Sequence, residues 1–280
     1  MEVEERIARA SGTLTPAERR VAEVVLARPQ LVAFGTVAEL AEAATSGAAT
    51  VVRLSTKLGY DGFTGLQASV QHALARQLRP AAERIREPAA TDAMGRHLDL
   101  ELDNVATTVH ALDPDALSEI VQRLSDPTAR VFVVSGDASY GVARQFTGDL
   151  SALRDGVHVV EGNDVTVRRA MALVEPADVL VAVDLRRYDR WLVDAVRQAR
   201  ARRCSCIAVT DSLLSPLASL ADRTVTVAAA GGGPFDSHVG TLALFNLITA
   251  GVADRLRAVA TERLDRTEAA WRAGDSLFDR

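Results

Sequence analysis

The chain has 280 residues, of which 48% are hydrophobic and 25% are charged, as expected of a globular protein with a full core. No apolar run approaches the roughly 20 residues of a membrane span, and the acidic N-terminus lacks a signal-peptide core, so we expect a cytoplasmic protein with no membrane partner. The net charge of −5 argues against general coating of nucleic acid.

The N-terminal part of the chain has the pattern of a set of helices. Thr15, followed by a proline and then by Glu18, is a helix-start signal, because a hydroxyl can cap the first turn and an acid suits it. Pro29 is expected to end that helix. Thr36, with Glu39 three residues later, predicts a capping box at the start of another helix.

A short break follows, and the stretch AATVVRLSTKLG then predicts a helix that ends at Gly59. Arg53 and Lys57 make this stretch locally basic, since residues 47–60 contain no acidic residue. A modest basic surface on a small domain suits a protein that reads DNA as a dimer. We expect four apolar side chains of this helix to face inward: Val51, Val52, Leu54 and Leu58.

Residues 80–95 contain two prolines and few large apolar side chains, so we interpret them as a linker. Two helices are then expected, at about 96–111 and 114–125. Five short β-branched runs come next, and each is apolar on both faces, which is typical of parallel strands covered by helices on both sides. A ligand is expected at the carboxyl ends of such strands. The runs are 130–135, 157–161, 178–185, 206–211 and 223–229.

Two cysteines, Cys204 and Cys206, lie close together in an apolar stretch, and alternation places both on the same face of a strand. We interpret them as small buried hydrophobic residues. No second pair of Cys or His accompanies them, and the five histidines show no ligand spacing. We therefore expect neither a metal site nor a cofactor.

The stretch AELAEAATSGAATVVRLSTKLGYDGFTGL (38–66) resembles the helix-turn-helix of the RpiR/MurR family of sugar-responsive regulators. It departs from the family at the turn, where Thr45 stands for the usual glycine and Gly47 for the usual capping serine. Thr45 must therefore adopt an unfavourable turn geometry, or the turn is reshaped. The matching residues are Ala38-Glu39-Leu40-Ala41, Ala49-Thr50-Val51, Arg53, Lys57-Leu58-Gly59-Tyr60, Gly62-Phe63 and Leu66.

The resemblance implies that the second helix of this motif enters the major groove of an operator, with its N-terminal residues at the base edges. Arg53 is expected to bind guanine through two hydrogen bonds, Thr50 to meet a thymine methyl or a phosphate, and Lys57 to bind phosphate. The alternative for Arg53 is a solvated charge or an internal salt bridge. The other candidates at the groove are Ser46, Ala48 and Ala49.

Residues 130–257 resemble the sugar isomerase (SIS) domain that is attached to this family, most clearly in VTDSLLSPLASLADRTV (209–225). The resemblance implies an effector site. Ser139, after the first strand, would lie at a helix N-terminus, where a hydroxyl and free N–H groups can hold an anion. Ser237 matches a family position at the site, and His238 is a candidate to approach the ligand, the alternative being a structural histidine.

The loop after the third strand departs from the family pattern S-x-S-G-x-T, which wraps a phosphate. This chain has Asp184, two arginines and Asp189 there. One interpretation is that Arg186 or Arg187 binds phosphate or carboxylate as a bidentate fork. A second is that the domain no longer binds a phosphosugar, and we expect a weak response to simple sugar phosphates. A third is that both arginines pair with Asp184, Asp189 or Asp194.

We therefore predict a two-domain regulator of transcription, not an enzyme. Residues 1–79 would form an all-α helix-turn-helix domain that binds DNA, and residues 96–280 an α/β SIS-type domain with a five-stranded parallel sheet flanked by helices. The expected partners are a palindromic double-stranded operator, a small-molecule effector such as a carbohydrate derivative, and further copies in a homodimer or homotetramer. The apolar stretch 239–256 is predicted to form the main dimer contact.

Two other functions stay open at this stage. One is a sugar-phosphate isomerase with an accessory helical domain, in which Glu161, Asp164 or His238 would supply the base that isomerisation needs. The other is a regulator whose SIS domain is vestigial, which would follow if side chains fill the pocket.

Overall fold

The computed structural model describes residues 3–77, 80–86, 92–213 and 215–276. The predicted capping box of Thr36 with Glu39 is confirmed, and the helix-start signal at Thr15 also proves to be a capping box, formed with Glu18. Pro29 follows the end of the helix that starts after Thr15, as predicted, and also begins a short helix that we did not predict. The helices here are α1 (Val3–Ala10), α2 (Pro16–Ala27), α3 (Pro29–Phe34), α4 (Val37–Ala43), α5 (Ala48–Lys57) and α6 (Gly62–Gln77).

One apolar core joins these helices. Leu40 of α4, Val51 and Leu54 of α5 and Leu66 of α6 are completely buried in it, and Ile7 of α1 closes one end. Because this core holds the inner face of α5, the outer face of the helix is fixed in position and remains exposed. The prediction that Val51 and Leu54 face inward is confirmed.

The predicted linker is partly helical. Helix α7 (Ala81–Arg84) follows Pro80, and α8 (Ala93–His110) begins before the predicted end of the linker. Residues 87–91 lie outside the described part of the chain. Helix α9 (Pro114–Leu124) confirms the second predicted helix. The domain boundaries at 79 and 95 stay a prediction.

Five parallel strands form one sheet in the order β2-β1-β3-β4-β5, which confirms the predicted α/β architecture. Val131 at the start of β1 lies opposite Val157 on one side and Val179 on the other. The strands are β1 (Val131–Ser135), β2 (Val157–Val160), β3 (Val179–Val183), β4 (Ser205–Thr210) and β5 (Arg223–Thr226). The helices of this part are α10 (Tyr140–Leu153), α11 (Asp164–Ala172), α12 (Arg190–Ala201), α13 (Val239–Arg255) and α14 (Arg257–Ala273).

Helices cover both faces of the sheet. On one face, Val133 belongs to a buried cluster with residues of α9, α10 and α13, and on the other, Leu180 belongs to a cluster with residues of α11 and α12. Cys204 and Cys206 are both buried in the second cluster, as predicted. Since helices occupy both faces, the carboxyl ends of the strands are where loops can form a site.

Helix α13 packs against α8, α9 and α10 of the same chain, and Leu244, Phe245, Ile248 and Val252 are buried there, while Leu247 is 38% exposed. The dimer contact through residues 239–256 stays a prediction. Among the described residues, no helix by itself has the length and apolar composition to cross a membrane, and α13 and α14 meet that test only as a pair bent by 102°.

A more exposed apolar stripe lies on α8. The side chains of Met94, Leu98, Leu102 and Val109 are spaced by four, four and seven residues, which places them on one side of the helix, and Leu98 and Leu102 are each 59% exposed. Single exposed apolar residues are ordinary, but a continuous stripe on one helix marks a contact surface.

Candidate functional site

The turn between α4 and α5 is strained but well held. Thr45 has a φ of +47°, a left-handed conformation that a β-branched residue rarely adopts. This confirms the unfavourable geometry expected where a glycine is missing. Arg20 of α2 braces the turn, because its Nε donates to the carbonyl of Ala44 at 3.3 Å and its Nη2 to that of Thr45 at 3.2 Å.

Helix α5 presents a small, mostly uncharged outer face with one guanidinium group. Ala49, Arg53 and Thr56 are exposed, as is Ala48 at the start of the helix. Val52 is 42% exposed, so the prediction that it faces inward is wrong. Helical spacing explains the difference, because Val52 lies one turn from Ala49 and Thr56 and therefore shares their side of the helix.

Two of the predicted DNA contacts lie deeper than expected. Thr50 is buried, and its Oγ1 lies 3.2 Å from Nη2 of Arg53, which donates to it. Thr50 therefore positions Arg53 more readily than it reaches a base. Ser46 is half-buried, and its hydroxyl has no hydrogen-bond partner in the structure.

Lys57 acts as an internal brace in this structure. Its Nζ lies 3.0 Å from Oε2 of Glu18 and donates to the carbonyl of Thr13 at 2.6 Å. The same Glu18 carboxylate accepts the backbone N–H of Thr15 at 2.9 Å, and that bond, together with Lys57, holds the pKa of Glu18 below its ordinary value. Phosphate binding by Lys57 would compete with this pair, and the assignment stays a prediction.

The end of α5 is held by a residue that we did not predict. Arg6 of α1 donates to the carbonyl of Leu58 at 2.8 Å and to that of Gly59 at 3.0 Å, and its guanidinium lies 4.3 Å from the centre of the Tyr60 ring. Gly59 has a φ of +82°, as expected of the glycine that ends a helix. Contacts from α1 and α2 thus fix both ends of α5.

At the carboxyl end of β1, a turn of 3₁₀ helix over Asp137–Ser139 leads into α10. Ser139 takes the N-cap position of α10, as predicted, but its side chain caps no backbone N–H. The residue is completely buried, and its hydroxyl has no hydrogen-bond partner. An orphaned buried hydroxyl at this edge is a polar group that a ligand can satisfy.

The loop after β3 places the carboxylate of Asp184 inside the protein. Its Oδ2 accepts the backbone N–H of Asp189 at 2.7 Å, and the residue is only 3% exposed. Burial raises the pKa of Asp184 to about 7, and the nearby carboxylates of Asp189 and Asp211 add to that rise. Arg187 of the same loop is exposed and has a φ of +69°. It therefore keeps the backbone conformation that a glycine would adopt.

Arg186 turns inward and joins a cluster of charges, which we call the edge cluster: Arg84, Arg186, Asp211 and Asp236. The Nε of Arg186 lies 2.9 Å from Oδ1 of Asp236 and 3.7 Å from Oδ2 of Asp211. Nη1 of Arg84, in α7, lies 2.6 Å from the same oxygen of Asp236. These partners differ from the ones considered from the sequence, since Asp194 pairs with Arg197 instead.

A tyrosine completes the cluster. The hydroxyl of Tyr188 donates to Oδ1 of Asp211 at 2.8 Å. Burial raises the pKa of Asp211, and burial together with the Asp211 charge raises the pKa of Tyr188. We did not predict Arg84, Tyr188, Asp211 or Asp236 as site residues, because their partners lie far away in the sequence.

The segment before α13 borders the same edge. The Ser237 hydroxyl donates to Oε2 of Glu101 at 2.5 Å, and so joins this segment to α8. His238 contacts the backbone of Ala138 with its ring, while its Nδ1 is buried without a partner. Burial lowers the pKa of His238, which favours the neutral form of the ring.

Glu161 and Asp164, the two carboxylates considered as bases for an isomerase, are each paired with an arginine. Glu161 accepts a hydrogen bond from Tyr140 at 2.7 Å and pairs with Arg144 at 3.0 Å, on an exposed surface. Asp164 pairs with Arg168 at 2.7 Å, one turn along α11.

Comparison with known proteins identifies both halves of the chain. A family model described as the helix-turn-helix domain of the rpiR family matches residues 1–77, and one for the SIS domain matches residues 124–250. The HTH-type transcriptional regulator HexR of Escherichia coli is 24% identical over 273 residues, which cover 95% of this chain and 92% of that protein.

Two solved structures are also similar. The sugar isomerase domain of an RpiR transcription factor from Sphaerobacter thermophilus is 27% identical, with a TM-score of 0.61, and covers 64% of this chain and 99% of that chain. The NanR protein of Vibrio vulnificus, complexed with ManNAc-6P, is 20% identical, with a TM-score of 0.57, over 95% of this chain and 96% of that chain. NanR therefore shares the fold.

Proposed function

Since the chain belongs to the rpiR family of transcriptional regulators, we propose that it binds an operator through the outer face of α5 and that a carbohydrate derivative, bound at the carboxyl edge of the sheet, changes its affinity for that operator. The observation that carries the proposal is the contact between Arg84 and Asp236, because it joins the helix that precedes the SIS domain to a loop of the candidate effector site.

On the DNA side, Arg53 is the residue that reads the sequence. It is the one charged side chain on the outer face of α5 that is not paired with an acid among the described contacts. Val52 supplies an apolar contact of the kind that suits a thymine methyl. Ala48 and Ala49 allow close approach to the groove, and Thr50 holds the Arg53 guanidinium in place.

On the effector side, the ligand would meet Ser139, Arg186 and the segment of Ser237 and His238. The orphaned hydroxyl of Ser139 and the orphaned Nδ1 of His238 are two polar groups that a polyhydroxylated ligand can satisfy. The complex of NanR with ManNAc-6P supports the choice of a carbohydrate derivative as the class of ligand.

The two sides are coupled through the shared carboxylate of Asp236. A ligand that binds Arg186, or that moves the segment before α13, changes which side chains pair with Asp236. It thereby strengthens or weakens the ion pair between Asp236 and Arg84. Effector control needs a ligand that binds one arrangement more tightly than another, and the edge cluster with the Arg84–Asp236 pair formed or broken would supply two such arrangements.

Regulation is favoured over isomerase activity. Glu161 and Asp164 are neutralised by Arg144 and Arg168 at exposed positions, which does not suit a base that must be held close to a bound sugar. A second hypothesis is that the SIS domain is vestigial. It is favoured by the ion pairs that Arg186 makes within the chain, since these pairs engage the side chain that would bind a ligand. As a regulator, the protein would act in the cytoplasm on a palindromic operator, as a homodimer or homotetramer.

The test uses the full-length protein. An operator is selected from a random DNA pool, and its Kd is measured with and without each compound that raises the melting temperature in a screen of carbohydrate derivatives. At least one compound should shift the Kd about fivefold or more. Stabilising compounds that leave the Kd unchanged, or compounds that the protein isomerises, would contradict the proposal. If no compound raises the melting temperature, the hypothesis of a vestigial SIS domain would be favoured.

A further inference from the structure

Two backbone N–H groups at the proposed effector site are already bound to carboxylates of the chain itself. Asp189 donates its N–H to Asp184 at 2.7 Å, and Asp137 donates its N–H to Asp189 at 2.9 Å. These two donors lie in the loops after β3 and β1, which are the loops that would face a ligand. An incoming anion would have to displace a carboxylate to reach either N–H group.

The carboxylate of Asp184 also fills the space beside the loop after β1. A Cβ atom added to Gly136 would lie 2.2 Å from Oδ1 of Asp184, so the carboxylate rests against the bare Cα of that glycine. Asp184 is almost completely buried. Gly136 leaves space beside its backbone because it has no side chain. The Asp184 carboxylate fills that space, so a ligand cannot occupy it.

The charges around Asp184 oppose a further anion. The nearby carboxylates of Asp189 and Asp211 make a negative charge on Asp184 less favourable and so raise its pKa. Arg186 and Arg84 are engaged by Asp211 and Asp236, and Arg187, the other arginine of the loop, is exposed. A phosphate dianion in the space that the Asp184 side chain occupies would therefore meet carboxylates at close range.

We propose that the buried carboxyl group of Asp184 occupies the loop after β3 and excludes phosphate from it, and that the effector is a carbohydrate without a phosphate group at this position. The completely buried, unpartnered hydroxyl of Ser139 supplies a hydrogen-bonding group for such a ligand. This inference rests on the proposed function, since it names the class of ligand for that same site.

The test compares the wild type with Asp184→Ser, which removes the carboxylate and leaves a hydroxyl. Inorganic phosphate and glucose 6-phosphate are titrated calorimetrically into the full-length proteins. We expect no binding up to millimolar concentration by the wild type, and a gain of about tenfold or more in affinity for Asp184→Ser, because a buried like charge is removed. Asp194→Asn, which removes an exposed carboxylate paired with Arg197, is the matched control and should resemble the wild type.

Asp184→Asn guards against a variant that does not fold, since the amide oxygen can still accept the N–H of Asp189, and it should show a smaller gain. Equal phosphate binding by the wild type and both Asp184 variants would overturn the inference. So would an absence of phosphate binding from all of them, because Asp184 would then not be what excludes it. Operator binding without any ligand is measured on the same samples. A wild type that binds no operator would count against the proposed function and not against this inference.

Discussion

Arg84 and Asp236 lie 152 positions apart in the sequence, and yet Nη1 of the first is 2.6 Å from Oδ1 of the second. Arg84 ends α7, between the helix-turn-helix and the SIS fold, while Asp236 precedes α13. The ion pair is mostly shielded from solvent, so it is stronger than a typical surface pair.

Replacing Arg84 should loosen α7. In Arg84→Gln the charge is lost while the helix propensity is kept, so we expect faster amide exchange over residues 81–86 and little change in the exchange of the sheet. Operator affinity should also lose part of its response to any effector. Hydrogen exchange by mass spectrometry and operator titration measure the two effects.

Arg86→Gln is the control, because it removes a positive charge from an exposed position in the same segment. It should leave the exchange of residues 81–86 close to that of the wild type. Equal effects of the two variants would show that net charge, and not the contact with Asp236, holds α7.

Replacing Arg53 should weaken sequence-specific DNA binding without unfolding the protein. Loss of one good base contact costs about 1–3 kcal/mol, so Arg53→Ala is expected to raise the operator Kd roughly 5- to 150-fold. Fluorescence anisotropy with the selected operator measures this. Arg28→Ala removes an exposed arginine outside α5 and should have a much smaller effect. An unchanged Kd for Arg53→Ala would refute the assignment of this residue.

The buried carboxyl of Asp184 should make stability depend on pH. Its pKa of about 7 in the folded protein lies above the ordinary value of 3.8, so the folded state binds the proton more tightly. The resulting stabilisation is fully present below the ordinary pKa and is lost as the pH rises through about 7. The shift corresponds to at most about 4 kcal/mol.

Asp184→Asn lacks this titration. Between about pH 4 and about pH 7, the wild type should therefore lose free energy of unfolding relative to the variant, as measured by urea denaturation at each pH. Parallel profiles for the two proteins would mean that the carboxyl keeps an ordinary pKa in the folded state.

The turn at Thr45 offers a stabilising substitution. A left-handed φ costs a non-glycine residue roughly 1–2 kcal/mol in the folded protein. Glycine removes this strain, but its greater conformational freedom in the unfolded chain offsets part of the gain. Thr45→Gly should therefore raise the free energy of unfolding by about 0.5–1 kcal/mol, seen as an increase of a few degrees in Tm. Thr36→Gly, at a φ of −98° and with loss of a capping hydroxyl, should lower it slightly. A fall in Tm for Thr45→Gly would mean that the turn carries no such strain.

The exposed stripe on α8 predicts the contact between copies. If a second copy covers Leu98 and Leu102, the double variant Leu98→Glu, Leu102→Glu should dissociate, because it places charges in an apolar contact. Light scattering of the full-length protein measures the mass. Leu264→Glu, at an exposed apolar position of α14, is the control and should keep the wild-type mass. A double variant that stays associated would exclude this face.

Much of the fold follows from local patterns in the sequence. The capping boxes at Thr15 and Thr36 need only a hydroxyl and an acid three residues apart, and the five strands need only short β-branched runs between helical stretches. Even the strained turn at Thr45 could be expected from the residue type. Such features depend on neighbours within about four positions, which a sequence shows directly.

The site was decided by tertiary structure. Whether Val52 faces out, whether Lys57 is free, and whether Arg186 turns inward depend on what packs beside each of them. Glu18 and Asp236, the partners of Lys57 and Arg186, lie 39 and about 50 positions away. Charge pairing has no sequence period, since a side chain pairs with whichever opposite charge the fold brings within a few ångströms. The sequence therefore determined the helices, the strands and the place of α5, the proposed DNA-binding helix, while only the packed chain decided which charges meet at the proposed effector site.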